Sequence, residues 1–216
     1  MLLLALLVAA EAGSLSGKVT LTGLAPKLAN LPVTRDMKVC GTSKTDESLE
    51  VKDGGIKNAV VWFTDLAETK DAKRLKQKLD QQSCVFVPHV MVAPIGSTLD
   101  VVNSDKALHN VRAQAGDVKL MNYAMPIPGH VVPTKLKKEG IFKVNCDVHP
   151  WMRAWIVVLP TQAYAITDET GAYKIAGVQP GKHKVKVWHE RLGEKETEIE
   201  IVAGQSAKYD VEYTPR

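Results

Sequence analysis

One loop of this 216-residue chain carries most of its structural information: Cys146-Asp147-Val148-His149-Pro150-Trp151-Met152, followed by an apolar run through Leu159. A thiol, an imidazole and a thioether alternate in this loop with two residues between each pair. Soft sulfur together with imidazole is the donor set that favours copper. The loop therefore predicts a metal site built from Cys146, His149 and Met152.

A trigonal copper site of two histidines and one cysteine, with a weak axial methionine, needs one more histidine. His109 supplies it, because it follows the apolar strand at residues 98–103. We expect Cys146 to provide the thiolate, His109 and His149 the ring nitrogens, and Met152 the distant sulfur around one copper ion. His109 is expected to be buried, whereas His149, in a loop, is expected to have its ring edge near solvent.

Two motifs carry a resemblance to a known family. The loop Cys146-x-x-His149-Pro150-x-Met152-Arg153 and the upstream segment Asn103-x-Asp105…His109-Asn110-Val111 resemble the ligand segments of the amicyanin and plastocyanin group of cupredoxins. The match covers about residues 86–159. The resemblance implies a Greek-key β-sandwich that holds one type 1 copper ion and carries one electron.

The same resemblance implies two further features of the site. Asn110 matches a position whose side chain ties the two ligand-bearing segments together. An apolar surface patch is expected around His149, formed by Met125, Pro126, Pro128, Pro150 and Trp151. Such a patch would give a redox partner, for example a cytochrome or a respiratory or oxidising complex, a small contact near His149 that is quickly reversed.

The three cysteines are informative because their number is odd. In an exported protein Cys40 and Cys84 can pair as a disulfide, which leaves Cys146 free. A free thiol in an oxidising compartment is a liability unless a metal occupies it. This count therefore predicts a Cys40–Cys84 disulfide and a metal-bound Cys146.

The first residues favour export. Residues 1–12 are mainly Leu, Ala and Val and end in Ala10-Glu11-Ala12, a small-x-small cleavage pattern, although no basic residue precedes the apolar run. A membrane anchor or a buried strand is the alternative, but spanning a bilayer takes about 20 apolar residues. We expect a signal peptide, a periplasmic or secreted protein, and no membrane span in the mature chain.

The remaining pattern predicts an all-β protein. Alternating segments end at Gly or Pro, which favours a sandwich or barrel over parallel βαβ units. Expected strands cover residues 15–23, 59–63, 85–93, 98–103, 110–114, 118–123, 141–145 and 154–159. The segment from Leu66 to Gln82 is rich in Lys, Asp and Gln, and is expected to form an exposed helix or a long loop.

The last fifty-odd residues form a second group of strands. Thr167-Asp168-x-x-Gly171-x-Tyr173-x-Ile175 and the later Pro180-Gly181 turn resemble the carboxypeptidase-regulatory or transthyretin-like β-sandwich. The expected organisation is a signal peptide at 1–12, an N-terminal strand and irregular segment at 13–56, a cupredoxin domain at 57–160 and a smaller β-sandwich at 161–216. Residues 16–22 and 59–63 could instead complete the smaller sandwich, with the copper domain inserted between its strands.

The sequence favours an exported mononuclear blue-copper electron carrier. A copper storage or delivery protein is the main alternative, although only 6 Met are present, and a metal-free scaffold module is another. An enzyme is not expected, because no His-x-His pair indicates further copper centres. The net charge of +4 with no zinc-finger spacing or basic aromatic patch argues against nucleic-acid binding. His89 is expected to be structural, and His130, His183 and His189 to lie on the surface.

Overall fold

The structure, a computed structural model, describes residues 11–67 and 74–215, and it is almost wholly β. The prediction of an all-β protein is confirmed. The elements are β1 (Gly13–Leu21), β2 (Leu31–Pro32), α1 (Met37–Cys40), β3 (Ser43–Lys44), β4 (Val51–Lys52), β5 (Gly55–Ile56), β6 (Val60–Phe63), β7 (Lys76–Gln82), β8 (Val85–Val87), β9 (Val90–Pro94), β10 (Thr98–Asn103), β11 (His109–Ala115), β12 (Val118–Met125), β13 (Val131–Lys135), β14 (Gly140–Asn145), β15 (Arg153–Leu159), β16 (Tyr164–Ile166), β17 (Ala172–Val178), β18 (Gly181–His189), β19 (Gly193–Ile201), β20 (Ser206–Lys208) and β21 (Val211–Tyr213).

The chain divides into two compact units. We name them by their order along the chain: among the described residues, the outer unit combines residues 11–25, 51–66 and 163–215, and the inner unit, which lies between these parts in the sequence, combines residues 26–50, 67 and 74–162. This division differs from the sequence-based boundaries in two segments. Residues 26–50 group with the predicted copper domain, and residues 51–66 group with the C-terminal strands.

The inner unit is a sandwich of two sheets over one core. One sheet has the strand order β12-β11-β14-β15-β9 and the other has the order β13-β10-β7-β8. Strands alternate buried and accessible side chains, as in β10 and β11, so each sheet turns one apolar face inward. Leu79 and Leu99 of the second sheet belong to the same buried cluster as Phe142 and Ile156 of the first.

Two stretches of the inner unit differ from expectation. Residues 76–82 form strand β7 rather than a helix or loop, because they pair in parallel with β10 and bury Leu79. Tertiary pairing here outweighs a composition poor in β-branched residues. The expected strand at 85–93 is two strands, β8 and β9, which lie in different sheets on either side of Pro88.

The outer unit is built from three separated parts of the chain. Strand β1 pairs with β17, β20, β21 and β5 in one sheet, and β6 pairs with β16 and β18 in a second sheet that β19 extends. The segments at 16–22 and 59–63 therefore pair with C-terminal strands. That the residues between these segments form a copper domain stays a prediction.

The N-terminal prediction lies largely outside the described residues. Residues 1–10 of the expected signal peptide are not among them, and β1 begins at Gly13. In the described part of the chain, no helix has the length and apolar character needed to cross a membrane.

Candidate metal centre

The predicted metal loop joins β14 to β15 and is closed by its own backbone. Cys146 directly follows β14, and Met152 directly precedes β15. The Cys146 amide donates to the Met152 carbonyl (3.3 Å), and the Met152 amide donates to the His149 carbonyl (2.9 Å). Since β14 and β15 pair from Gly140 with Val158 to Asn145 with Arg153, the loop is held at the end of a fully paired hairpin.

His109 is the first residue of β11, the neighbour of β14 in the same sheet. Pairing of Arg112 with Asn145 brings the start of β11 beside the end of β14. His109, Cys146 and His149 therefore meet at one end of the sheet, although the two histidines are 40 positions apart in the sequence. The side chain of His109 is fully buried, as expected.

Three of the four predicted ligands present their donor atoms to one another. The Nδ1 atoms of His109 and His149 are 2.8 Å apart, and the Cys146 Sγ lies 3.8 Å from the His149 Nδ1. All three side chains are buried, and their ligand atoms lie within 4.8 Å of one another. Met152, the fourth residue, is also buried and belongs to the surrounding apolar cluster.

Asp105 fixes the far side of the His109 ring. The His109 Nε2 lies 3.0 Å from the Asp105 Oδ2, and the same carboxylate accepts hydrogen bonds from the amides of Ser83 (2.6 Å) and Cys84 (2.7 Å). Burial lowers the pKa of His109, and the Asp105 hydrogen bond opposes this only in part. The neutral ring is therefore favoured, with its proton on Nε2 and its Nδ1 free to bind a metal.

Asp36 takes the corresponding place beside His149. The His149 Nε2 lies 2.8 Å from the Asp36 Oδ2, and the imidazole is fully buried. The prediction that this ring would have an edge near solvent is wrong. The reason is that Asp36, 113 residues earlier in the chain, lies over the ring edge, and Trp151 packs on it at a centroid distance of 4.9 Å.

Asn110 links the segment of His109 to the segment of Cys146, as the resemblance implied. Its side-chain NH₂ donates to the Asp147 Oδ2 (2.8 Å), and the Asp147 amide donates to the Asn110 Oδ1 (2.5 Å). The Asn110 amide also points at the Cys146 Sγ at 3.5 Å. A hydrogen bond from Arg112, helped by one from Asn110, keeps the pKa of Asp147 below its usual range although burial opposes this.

The expected apolar surface patch around His149 is present only in part. Pro126, Pro128 and Pro150 are exposed, but Met125 is fully buried and Trp151 is only 6% exposed. The Trp151 Nε1–H donates to the Cys84 carbonyl at 3.0 Å, which turns the indole inward. The contact at the His149 Nε2 is therefore made by Asp36 and not by an apolar residue of the expected patch.

The predicted disulfide between Cys40 and Cys84 is confirmed, and Cys146 is the free cysteine. Cys84 also lies within 4.8 Å of ligand atoms of Asp105 and His109. Because its sulfur is bonded to Cys40, it has no thiolate to offer a metal. Among the described residues, the candidate site is therefore the group of His109, Cys146 and His149, and not the group of Cys84, Asp105 and His109.

The remaining histidines correct one expectation. His130 is exposed as predicted, but His183 and His189 are buried at 8% and 2% exposure. His183 is held by the Asp65 carboxylate (3.0 Å) and the Gln179 carbonyl (2.8 Å), so its burial is satisfied within the outer unit.

No protein-family model and no curated protein matches the chain. Solved structures that it resembles include a purple cupredoxin from Nitrosopumilus maritimus (20% identity, 38% of this chain and 98% of that one, TM-score 0.34). Amicyanin from Paracoccus versutus has 17% identity (45% of this chain, 96% of that one, TM-score 0.35). A copper-containing nitrite reductase from Thermus scotoductus has 23% identity, with 43% of this chain and 24% of that one covered and a TM-score of 0.34.

The donor set fits a soft transition metal. Both histidines direct Nε2 to a carboxylate, so their two Nδ1 atoms, 2.8 Å apart and beside a thiol sulfur, are the ring nitrogens available to a metal. A carboxylate partner on the far nitrogen is the usual support of a metal-bound histidine.

Proposed function

We propose that the inner unit binds one copper ion through His109, Cys146 and His149, with Met152 as a weak fourth ligand. The observation that carries this proposal is the pair of buried Nδ1 atoms facing each other beside the Cys146 sulfur. Two imidazoles, a thiolate and a thioether together favour copper over harder metals. The carboxylates of Asp36 and Asp105 set the ring orientations before any metal arrives.

We further propose that the bound copper carries single electrons, so that the protein acts as an exported mononuclear electron carrier rather than as an enzyme. A copper ion in such a ligand set can alternate between its two common oxidation states. The chain's own part is to keep the ligands in one arrangement. The closed backbone of the loop and the Asn110–Asp147 link support a ligand cage that changes little between the two states.

The state of the three cysteines supports an oxidising location for this protein. Disulfides persist in exported proteins and are rare in reducing compartments. The Cys40–Cys84 disulfide, with an unpaired Cys146 in the candidate centre, is therefore in keeping with a periplasmic or secreted protein. We propose a redox protein, for example a cytochrome or a respiratory complex, as the partner. The resemblance of the C-terminal strands to a carboxypeptidase-regulatory or transthyretin-like module stays a prediction.

The test is copper loading of the purified full chain. One equivalent of Cu(II) should give an intense visible charge-transfer band and an electron paramagnetic resonance spectrum with a small parallel hyperfine splitting. Cys146→Ser should lose both while keeping its circular dichroism. A colourless complex with wide splitting in the wild type would contradict the proposal.

Copper storage or delivery is the second candidate. The burial of the site and the contacts of Asp36 and Asp105 with the two imidazoles favour retention of the ion, whereas delivery requires its release. Rapid transfer of Cu(I) to an acceptor chelator, without a reversible redox couple, would favour delivery over electron transfer.

A further inference from the structure

A segment N-terminal to the metal loop contacts the candidate centre through Asp36, which lies against the His149 ring. We call residues 31–44 the covering segment. Strands β2 and β3 pair at its two ends, Leu31 with Lys44 and Pro32 with Ser43, so that the residues between them form a loop closed at its base. Val33 anchors one side in the core, and the disulfide from Cys40 anchors the other.

The geometry of Asp36 is fixed by the backbone of this segment. Asp36 has φ 48° and ψ 36°, in the left-handed region that Asp, Asn and Gly tolerate best. Its carbonyl accepts hydrogen bonds from the amides of Val39 and Cys40, both at 2.8 Å. The turn therefore directs the carboxylate toward the His149 ring, where it makes its 2.8 Å contact.

Burial shows what this contact does. The side chain of Asp36 is 49% exposed, whereas that of His149 is 0% exposed. The carboxylate thus lies between the imidazole and the solvent. On another side of the ring Trp151 packs, and its indole is hydrogen-bonded to Cys84, the disulfide partner of the covering segment.

We propose that Asp36 is a positioning residue for the metal centre, and that the covering segment closes the centre to water and to direct contact by a partner at His149. The effect on a bound metal rests on the proposed copper site, whereas the protection of His149 by the covering segment is expected in the metal-free protein as well. Asp36 holds the proton on the His149 Nε2, so that Nδ1 is presented to the metal. Any partner then meets the covering segment rather than the imidazole.

The first test uses the metal-free protein. Diethyl pyrocarbonate modifies accessible imidazoles, and mass spectrometry gives the rate at each histidine, with the exposed His130 as the internal standard. In the wild type His149 should react far more slowly than His130. Asp36→Gly suits the positive φ and removes the carboxylate, and it should raise the relative rate at His149 about tenfold or more, since a charge-assisted hydrogen bond is lost.

Two variants make this test specific. Asp36→Asn tolerates the same backbone and can still accept from the ring, so it should keep most of the protection. Lys38→Ala, an exposed neighbour in α1, should leave the rate unchanged. Equal modification rates in the wild type and Asp36→Gly, with unchanged circular dichroism, would overturn the proposal. So would rapid modification of His149 in the wild type.

The second test separates this inference from the proposed function. In the copper-loaded protein both Asp36 variants should raise the reduction potential. Each removes the negative charge of the Asp36 carboxylate, which stabilises Cu(II) more than Cu(I). Asp36→Gly alone should increase the relaxation of water protons by the bound Cu(II). If the wild type shows no type 1 signal, the proposed function fails, while protection of His149 in the metal-free protein still decides whether the covering segment closes the site.

Discussion

Removal of the Cys40–Cys84 disulfide tests how firmly the covering segment is held. The bridge joins residues 44 positions apart, and both sulfurs are buried. The chain-entropy relation for a loop of that length gives about 4 kcal/mol of stabilisation, through restriction of the unfolded chain. The double variant Cys40→Ala/Cys84→Ala should therefore lose about 4 kcal/mol of unfolding free energy in the inner unit.

Urea denaturation of the metal-free protein measures this loss. In a common Trp62→Phe/Trp188→Phe background, the fluorescence comes from Trp151 and Trp155, both in the inner unit. With a slope of about 2 kcal/mol per molar urea, the midpoint should fall by about 2 M. Cys146→Ala is the control, because it removes a buried sulfur without breaking a cross-link, and it should cost about 1 kcal/mol. A double variant no less stable than this control would refute the reasoning.

Three further outcomes are expected. Asn110→Ala should weaken copper binding about 10- to 100-fold in a chelator competition, because the link to Asp147 is lost, whereas the fold is retained. Gly17→Ala should destabilise the outer unit in thermal melts, because its Cβ would lie 1.9 Å from the Tyr209 carbonyl oxygen, and an unchanged melting temperature would contradict the packing. Burial would raise the pKa of Asp65, but hydrogen bonds from His183 and the Lys184 amide outweigh it and lower the pKa. Asp65→Asn should thus reduce stability near neutral pH, and the difference from wild type should vanish as the pH falls through the lowered pKa; a pH-independent difference would contradict this.

The sequence predicted the contents of the candidate centre better than its surroundings. Residue types and spacing within the loop are local, so Cys146 and His149 could be expected at one place, and the role of Met152 as a ligand stays a prediction. His109 could be found because it follows an apolar strand. The closure of His149 could not be found, because it depends on Asp36, which is distant in sequence and lies in an irregular stretch without a periodic pattern.

The errors in the fold have a similar origin. Residues 76–82 carry little β-propensity, and only their pairing with β10 makes them a strand. His183 looked like a surface residue because its partner, Asp65, lies 118 positions away. In each case the deciding contact is long-range. The residue pattern within one segment does not show which distant segment it will contact.

The discontinuous outer unit has a consequence for biosynthesis. A ribosome releases the chain from its N-terminus, so all of the inner unit, through residue 162, is available before β17 and β18 exist. Strand β1 has buried apolar residues at Leu15 and Val19, and during that interval these lack β17, β20 and β21 as pairing partners. The nascent polypeptide therefore carries β1 and β6 without these C-terminal partners until β16 to β21 have been made, and this is the stage at which helper proteins would have most to shield.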